Sequence, residues 1–250
     1  MEDSVYLEMA AVEARHWWFK GRRRILESEI GRRLPLAPPG GRRILEVGSG
    51  TGGNLELLQT FGSVDAVEPN AMARELAARS ECARLHDGGL PDQMPDFAEG
   101  FDLIAAFDVI EHVEADAASI RTLAGLLRPE GLLAVTVPAF GALWSRHDER
   151  HHHKRRYSRR DLEALFRQPG LEIVRLTYFN TLLFPVAASV RLAERAGLIE
   201  SAGADRLPPP ALNAILARVF GAEAGLLRFL SPPFGLSLLL IARKTGVHGE

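Results

Sequence analysis

The residues Ile44-Leu45-Glu46-Val47-Gly48-Ser49-Gly50-Thr51-Gly52-Gly53 form an apolar run, interrupted by one carboxylate, that breaks into closely spaced glycines. An apolar strand ending in Gly-x-Gly-x-Gly can turn sharply, take up positive φ and press bare backbone against a ligand. The same residues satisfy Gly-x-Gly-x-x-Gly through Gly48, Gly50 and Gly53, so the glycines alone also allow a dinucleotide site. Glu46 separates the two readings. A carboxylate at the end of this strand repels a pyrophosphate but attracts an ammonium or sulfonium group. Glu68 closes the stretch Val64-Asp65-Ala66-Val67 and stands where an acid accepts hydrogen bonds from both hydroxyls of a ribose. Together these residues predict a ribose-bearing, cationic ligand.

Three other groups carry chemistry. Glu13 to Arg24 packs His16-Trp17-Trp18-Phe19 between charged residues, and adjacent tryptophans on a helix cannot both lie on one core-facing stripe. Arg146 to Arg160 holds seven Lys/Arg against two acids, together with His147, His151, His152 and His153. That surplus suits a phosphate or carboxylate on a substrate. Three adjacent histidines without nearby cysteines rarely share one ion, so no metal is expected. A basic loop without a recognisable binding module does not predict nucleic acid. Finally, Glu111-His112 follows a predicted strand, and a histidine there could accept a proton because its ordinary pKa lies near neutrality. His147 and His151 are comparable candidates for that role.

The elements that must position these groups alternate. Strands are predicted at 44–47, 64–67, 83–86, 101–107 and 132–137, with helices at 54–60, 71–79 and 115–127 between them. Such alternation predicts a mainly parallel sheet covered on both faces, with the ligand at the carboxyl ends of the strands. A helix at 159–166, capped by Ser158, and strands at 172–178 and 236–242 complete the pattern. Between the last two strands, residues 179–235 far exceed a hairpin loop of about 2–5 residues. They read as an insertion of two helical pieces, 187–196 and 211–220, around Pro208-Pro209-Pro210.

Composition sets outer limits. At 250 residues and 46% hydrophobic content the chain can bury one substantial core. Its formal charge of -2 gives no general attraction to nucleic acid or anionic membrane. The single cysteine, Cys82, cannot form an internal disulfide, and the N-terminus lacks a secretory pattern, which suits a reducing cytoplasm. No segment has the unbroken apolar length of a membrane-spanning helix.

The ordered segments around the glycine turn resemble the class I S-adenosylmethionine (SAM) dependent methyltransferases. Leu45 to Gly52 is similar to that family's first strand and turn, Asp87-Gly88-Gly89-Leu90-Pro91 to its adenine-contacting segment, and Phe101 to Ile104 with Asp108 to Val113 to its fourth strand and following turn. Leu126 to Leu133 is similar to its turn into the fifth strand, with Glu130 where many relatives carry glycine. The resemblance covers roughly residues 40 to 140. It implies a doubly wound, seven-stranded α/β fold whose last strands form an antiparallel pair. It divides the chain into a lid segment (1–40), a cofactor core (41–178) with a substrate-facing loop (138–160), the insertion (179–235), and a last strand with tail (236–250).

It also implies SAM as cofactor, held by Glu46, Val47, Gly48, Ser49, Gly50, Thr51, Gly52, Glu68, Pro69, Asp87, Gly88, Phe107, Asp108 and Val109. Trp18, Phe19 and Arg23 become lid candidates, and His112, His147 and His151 candidate bases. Overall similarity to the ubiquinone-biosynthesis-type O-methyltransferases favours transfer to oxygen. An N- or C-methyltransferase, a non-catalytic SAM-binding protein and, less readily, a nicotinamide-dependent oxidoreductase are the alternatives. The apolar stretches 182–190 and 226–230 beside the basic loop suggest an amphiphilic acceptor with an anionic head, and with it peripheral membrane contact. Either a monomer or a homodimer is compatible, since the same stretches could pack on the core or pair between copies.

Overall fold

A computed structural model describes residues 3–34, 41–198 and 207–246. Small parts of the expected lid (1–2 and 35–40), insertion (199–206) and tail (247–250) lie outside the described residues. Helices α1 (Asp3–Val12) and α2 (Trp17–Gly31) precede β1 (Arg43–Val47), α3 (Leu55–Gln59), β2 (Ser63–Val67), α4 (Ala71–Ala78), β3 (Ala83–His86) and β4 (Phe101–Phe107). Then come α5 (Asp116–Leu126), β5 (Leu127–Pro138), α6 (Arg146–Arg150), α7 (Arg159–Leu165), β6 (Leu171–Phe179), α8 (Phe184–Arg195), α9 (Pro210–Leu226) and β7 (Ser237–Lys244). The strands form one seven-stranded sheet in the order β3-β2-β1-β4-β5-β7-β6. Pairing is parallel from β3 through β5, and β7 runs antiparallel to both β5 and β6.

Alternation along the strands divides their side chains between two cores, because successive residues face opposite sides of a sheet. Leu45, Val47, Ile104, Val135 and Val137 meet Ile120 and Leu123 of α5 and Leu162 of α7. Ile44, Leu103, Ala105, Leu132 and Ala134 meet Ile25 and Leu26 of α2, Leu58 of α3 and Phe220 of α9. Both faces being covered, the strands read as nearly continuous apolar runs. Glu46 shares the parity of Ile44, so its carboxyl lies on the α2 side. Ser158 caps α7 as expected, accepting from the Asp161 amide at 3.1 Å.

Two elements differ from the sequence reading. Strand β5 begins at Leu127 rather than Leu132, because the segment read as a turn joins the sheet through a bulge between Phe101 and Leu103. Glu130 sits in that bulge at φ +64°, a conformation glycine takes at lower cost. The second difference is α9, which extends to Leu226 and is part of the core. Its Phe220 is fully buried, stacked 6.3 Å from Phe179 and edge-on to Trp17 at 5.8 Å.

Gly21 of α2 makes that packing possible, since a Cβ there would lie 2.4 Å from the Phe220 ring. Alanine is the better helix former by about 1 kcal/mol, yet overpacking costs about 1–3 kcal/mol. Gly21→Ala should therefore lower the chemical denaturation midpoint. Phe220→Ala should cost about 3–5 kcal/mol, and the double variant should lose clearly less than the sum. Strict additivity would mean that α9 does not pack on α2 as described.

Candidate functional site

The carboxyl ends of β1, β2 and β4 meet beside the point where strand order reverses, the usual ligand position in open α/β sheets. Gly48, Gly50 and Gly52 have φ of +70°, +54° and +91°, so the turn after β1 follows a left-handed path that disfavours side chains. Gly48 also lies against Val109, whose Cγ2 would be 2.5 Å from an added Cβ. Val47 ends the strand, while Ser49 and Thr51 are buried within the turn.

Three carboxyl groups at the ends of β1, β2 and β4 meet beside this turn, each with different partners. Glu68 is satisfied: it accepts from the amides of Gly50 (2.9 Å) and Asn70 (3.1 Å) and from the Tyr6 hydroxyl (3.4 Å). Asp108, at φ +57° just beyond β4, is ion-paired with Arg22. Glu46 is only half satisfied. One oxygen accepts from Asn54 Nδ2 at 2.8 Å, while Oε2 is buried without a partner. Burial pushes its pKa up to about 8, against the opposing pull of Asn54 and Arg22.

Helices α1 and α2 close over these groups. Arg22 is 5% exposed, lies 4.7 Å from the Trp18 ring centroid and 5.8 Å from that of Phe107, and keeps a buried, unpartnered Nε. Arg23 instead donates to the Gly53 and Glu13 carbonyls and ties the helices to the turn. The inward arginine is thus Arg22, which the sequence reading passed over. Its signal was present, because Arg22 lies four positions after Trp18 and shares its helix face, whereas Arg23 does not. Tyr6, Glu13 and Asn54 were also missed. Glu13 accepts from the Thr51 hydroxyl at 2.8 Å, and Asp3 accepts from Asn70 Nδ2 at 3.0 Å. Pro69, Asp87 and Gly88 lie along the ends of β2 and β3. The Asp87 carboxylate is exposed and pairs with Arg74 at 2.7 Å.

The atoms left unsatisfied are a carboxyl oxygen on Glu46 and a cationic donor on Arg22, and an α-amino acid head group supplies the complement of both. Tyr6 places a phenol hydroxyl on Glu68, where a ribose hydroxyl would donate. The residues therefore fit the cofactor implied by the resemblance, provided α1 yields the Glu68 position.

The basic loop packs on the turn after β4, where the Lys154 amide donates to the Glu111 carbonyl at 2.8 Å. Its surplus is largely consumed by acids outside the run: Arg150 pairs with Glu8, Lys154 with Glu114 at 3.5 Å, and Arg155 with Asp116 at 2.8 Å. Arg156 forms a two-point pair with buried Asp148 at 2.7 and 2.8 Å. Burial opposes the charge on Asp148, but hydrogen bonds from His153 and Arg156 hold its carboxyl below the usual range. The expected anion-binding loop is thus substantially neutralised by tertiary partners.

His112, His147, His151 and His153 form a ring cluster with centroids 4.2–6.0 Å apart in the contacting pairs. Burial, with His153 and His151 nearby, lowers the His112 pKa to about 3. That imidazole is neutral at physiological pH and a weak proton acceptor. Its neighbour Glu111 is fully buried, and burial beside Asp108 raises its pKa well above the ordinary value.

The raised pKa of Glu46 has a thermodynamic consequence. The folded state binds its proton more tightly than the unfolded state, so this group's stabilisation is complete below about pH 4.5 and is lost as pH rises toward 8. Each unit of that span is worth about 1.4 kcal/mol. Urea denaturation from pH 5 to 8 should show wild type losing stability relative to Glu46→Gln. Parallel pH profiles would contradict the assignment.

A model of the methyltransferase domain matches residues 18–176. A ubiquinone biosynthesis O-methyltransferase of Bradyrhizobium diazoefficiens is 31% identical over 101 residues, covering 39% of this chain and 40% of that protein. The enzyme of the same name from Azorhizobium caulinodans is 29% identical over 106 residues, covering 40% and 42%. The matched stretch thus spans only about two fifths of these relatives. Among solved structures, the methyltransferase in complex with the Haloferax volcanii Trm112 methyltransferase activator superposes with a TM-score of 0.62 at 16% identity, covering 99% of this chain and 97% of that one. The plantazolicin methyltransferase BpumL in complex with SAH gives 0.58 at 12% identity, covering 96% of each chain. Sheet order, glycine turn and matched model agree: the chain belongs to the methyltransferase domain family, with the class I SAM-dependent methyltransferase fold.

Proposed function

We propose that this protein transfers a methyl group from SAM to an oxygen atom of a small-molecule or lipid-like acceptor. The observation that carries the donor half is the buried pair of incomplete groups, Glu46 Oε2 and Arg22 Nε, beside the glycine turn. A pyrophosphate would satisfy the arginine but offers the glutamate neither a donor nor a positive charge, whereas an amino acid head group satisfies both. SAM, when bound, supplies an electrophilic methyl on a positively charged sulfur. Glu68 then accepts from the ribose hydroxyls in place of Tyr6, and Trp18 and α1 exclude water from above. Displacement at a sulfonium methyl depends chiefly on alignment, so no strong base is required. This agrees with the low basicity of His112.

Two observations support the acceptor half. The distant relatives are ubiquinone biosynthesis O-methyltransferases. In addition, among the described residues twelve of the thirteen exposed large apolar side chains lie between Leu182 and Phe234, among them Val186 at 67% and Phe229 at 87% exposure. Helix α8, which bears several of them, approaches the basic loop, where its Arg191 interacts with Arg156 and Asp148. An apolar surface of this kind suits a greasy acceptor presented in the cytoplasm or at a membrane surface. Among the described residues, no helix is long and apolar enough to cross a membrane.

Calorimetry should show SAM and SAH binding and no NAD binding, with Glu46→Gln and Arg22→Ala each weakening SAM at least tenfold, about 1.4 kcal/mol. NAD binding without SAM binding would overturn the donor half. With methyl-labelled SAM and a fractionated extract, the label should enter the lipid or small-molecule pool as an alkali-stable ether. Label confined to protein or nucleic acid would overturn the acceptor half.

A further inference from the structure

We infer that Glu111, His112 and His153 form a binding site for one divalent transition-metal ion of the zinc class, on the acceptor side of Asp108. The three residues come from two segments: Glu111 and His112 from a 3₁₀ turn at Ile110–His112, and His153 from the loop after α6. A hydrogen bond from the Lys154 amide to the Glu111 carbonyl, 2.8 Å, clamps the segments together. One donor atom from each residue lies within 4.8 Å of the other two. Two donors on one tetrahedral zinc ion, with bonds of about 2.0–2.2 Å, lie about 3.3–3.6 Å apart. Side-chain rotations that shorten the separations by up to about 1.5 Å close the set.

Two independent observations point to a cation. Glu111 is fully buried, and neither carboxylate oxygen has a hydrogen-bond partner. A buried carboxyl without a partner is kept neutral by a proton, and a metal ion can take that proton's place. Second, His153 is already oriented. Its Nδ1 is 2.9 Å from Asp148 Oδ1, while Asp148 is held by Arg156 and by the Ser145 amide. That leaves Nε2 as the remaining ring donor, in the carboxylate–histidine arrangement that supports metal ligands. Purely structural packing of the rings would account for the His112–His153 edge contact at 4.7 Å, but it leaves both Glu111 oxygens without a hydrogen-bond partner.

Two imidazoles and one carboxylate favour zinc, cobalt or manganese over magnesium or calcium, which prefer all-oxygen sets. Three protein ligands leave an open position, as in catalytic rather than structural zinc sites. The role of the ion rests on the methyl-transfer reading above. A hydroxyl of the acceptor held at that position loses its proton to water more readily. Its oxygen then forms the bond to the methyl carbon as the carbon–sulfur bond breaks, the electron pair staying on sulfur as a neutral thioether.

The test uses untagged, chelator-treated full-length protein. Zinc titrated by calorimetry should bind at one equivalent, and cobalt should give visible absorption bands of a low-coordinate nitrogen and oxygen site. Glu111→Gln and His153→Gln, with melting curves confirming that each is folded, should each weaken zinc at least tenfold. SAH binding is measured on the same samples. No zinc uptake by wild type, or equal uptake by both folded variants, overturns the site; if SAH still binds, the methyltransferase reading survives. Zinc uptake lost in the variants supports the site whether or not SAH binds.

Discussion

Carboxyl groups crowded into a dry edge of the sheet are the constraint around which this protein is organised. Glu46, Glu68, Asp108 and Glu111 all lie where β1, β2 and β4 end, and three of the four are almost completely buried. Ionised carboxylates removed from water cost several kcal/mol each unless donors or counter-charges replace the lost hydration. The fold meets that cost differently at each position. Backbone amides satisfy Glu68, Arg22 neutralises Asp108, and Asn54 half-satisfies Glu46. Neither oxygen of Glu111 has a hydrogen-bond partner among the described residues. The unevenness is informative, because the groups left incomplete are those facing the places a ligand would occupy.

The N-terminal helices follow from the same constraint. Arg22 reaches Asp108 because α2 lies on the sheet face toward which Glu46 points, and α2 is held there by Ile25, Leu26 and Ile30 in the core. Helix α1 reaches Glu68 through Tyr6 and the basic loop through the Glu8–Arg150 pair, and Glu13 just after it holds Thr51 of the glycine turn. Exposed pairs of that last kind contribute at most about 1 kcal/mol. A cover attached mainly by hydrogen bonds and surface ion pairs can release at modest cost, whereas α2 is fastened by apolar burial. Motion that admits a nucleoside is therefore expected in α1 rather than α2.

On the acceptor side, Asp148 plays a comparable part. Its carboxylate gathers Arg156, His153 and the Ser145 backbone, so the run that carries most of the local positive charge is folded inward. Charge that reads as substrate attraction in the sequence is spent on holding a loop shape. In the insertion, helix α9 is anchored through Phe220, while Val186, Val190 and Leu192 of α8 and Phe229 and Leu230 after α9 stay exposed.

The alternation of strands and helices, the glycine turn, Glu46 and Glu68 were legible in the sequence because they depend on local periodicity and on residue types with narrow backbone or charge requirements. From these the doubly wound sheet and the cationic, ribose-bearing ligand followed directly. The bulge that admits Pro129 and Glu130 into β5 was not legible, since only pairing with β4 turns that segment from a turn into strand. Nor was the choice of Arg22 over Arg23, which depends on helix phase and on what lies beneath, or the fate of the basic run, whose partners Glu8, Glu114 and Asp116 lie elsewhere in the chain. Tertiary structure alone joined Glu111 and His112 to His153 and left that carboxylate buried without a partner. Local sequence carries conformation and charge, but whether a charge is neutralised depends on which distant residues the fold brings within a few ångströms.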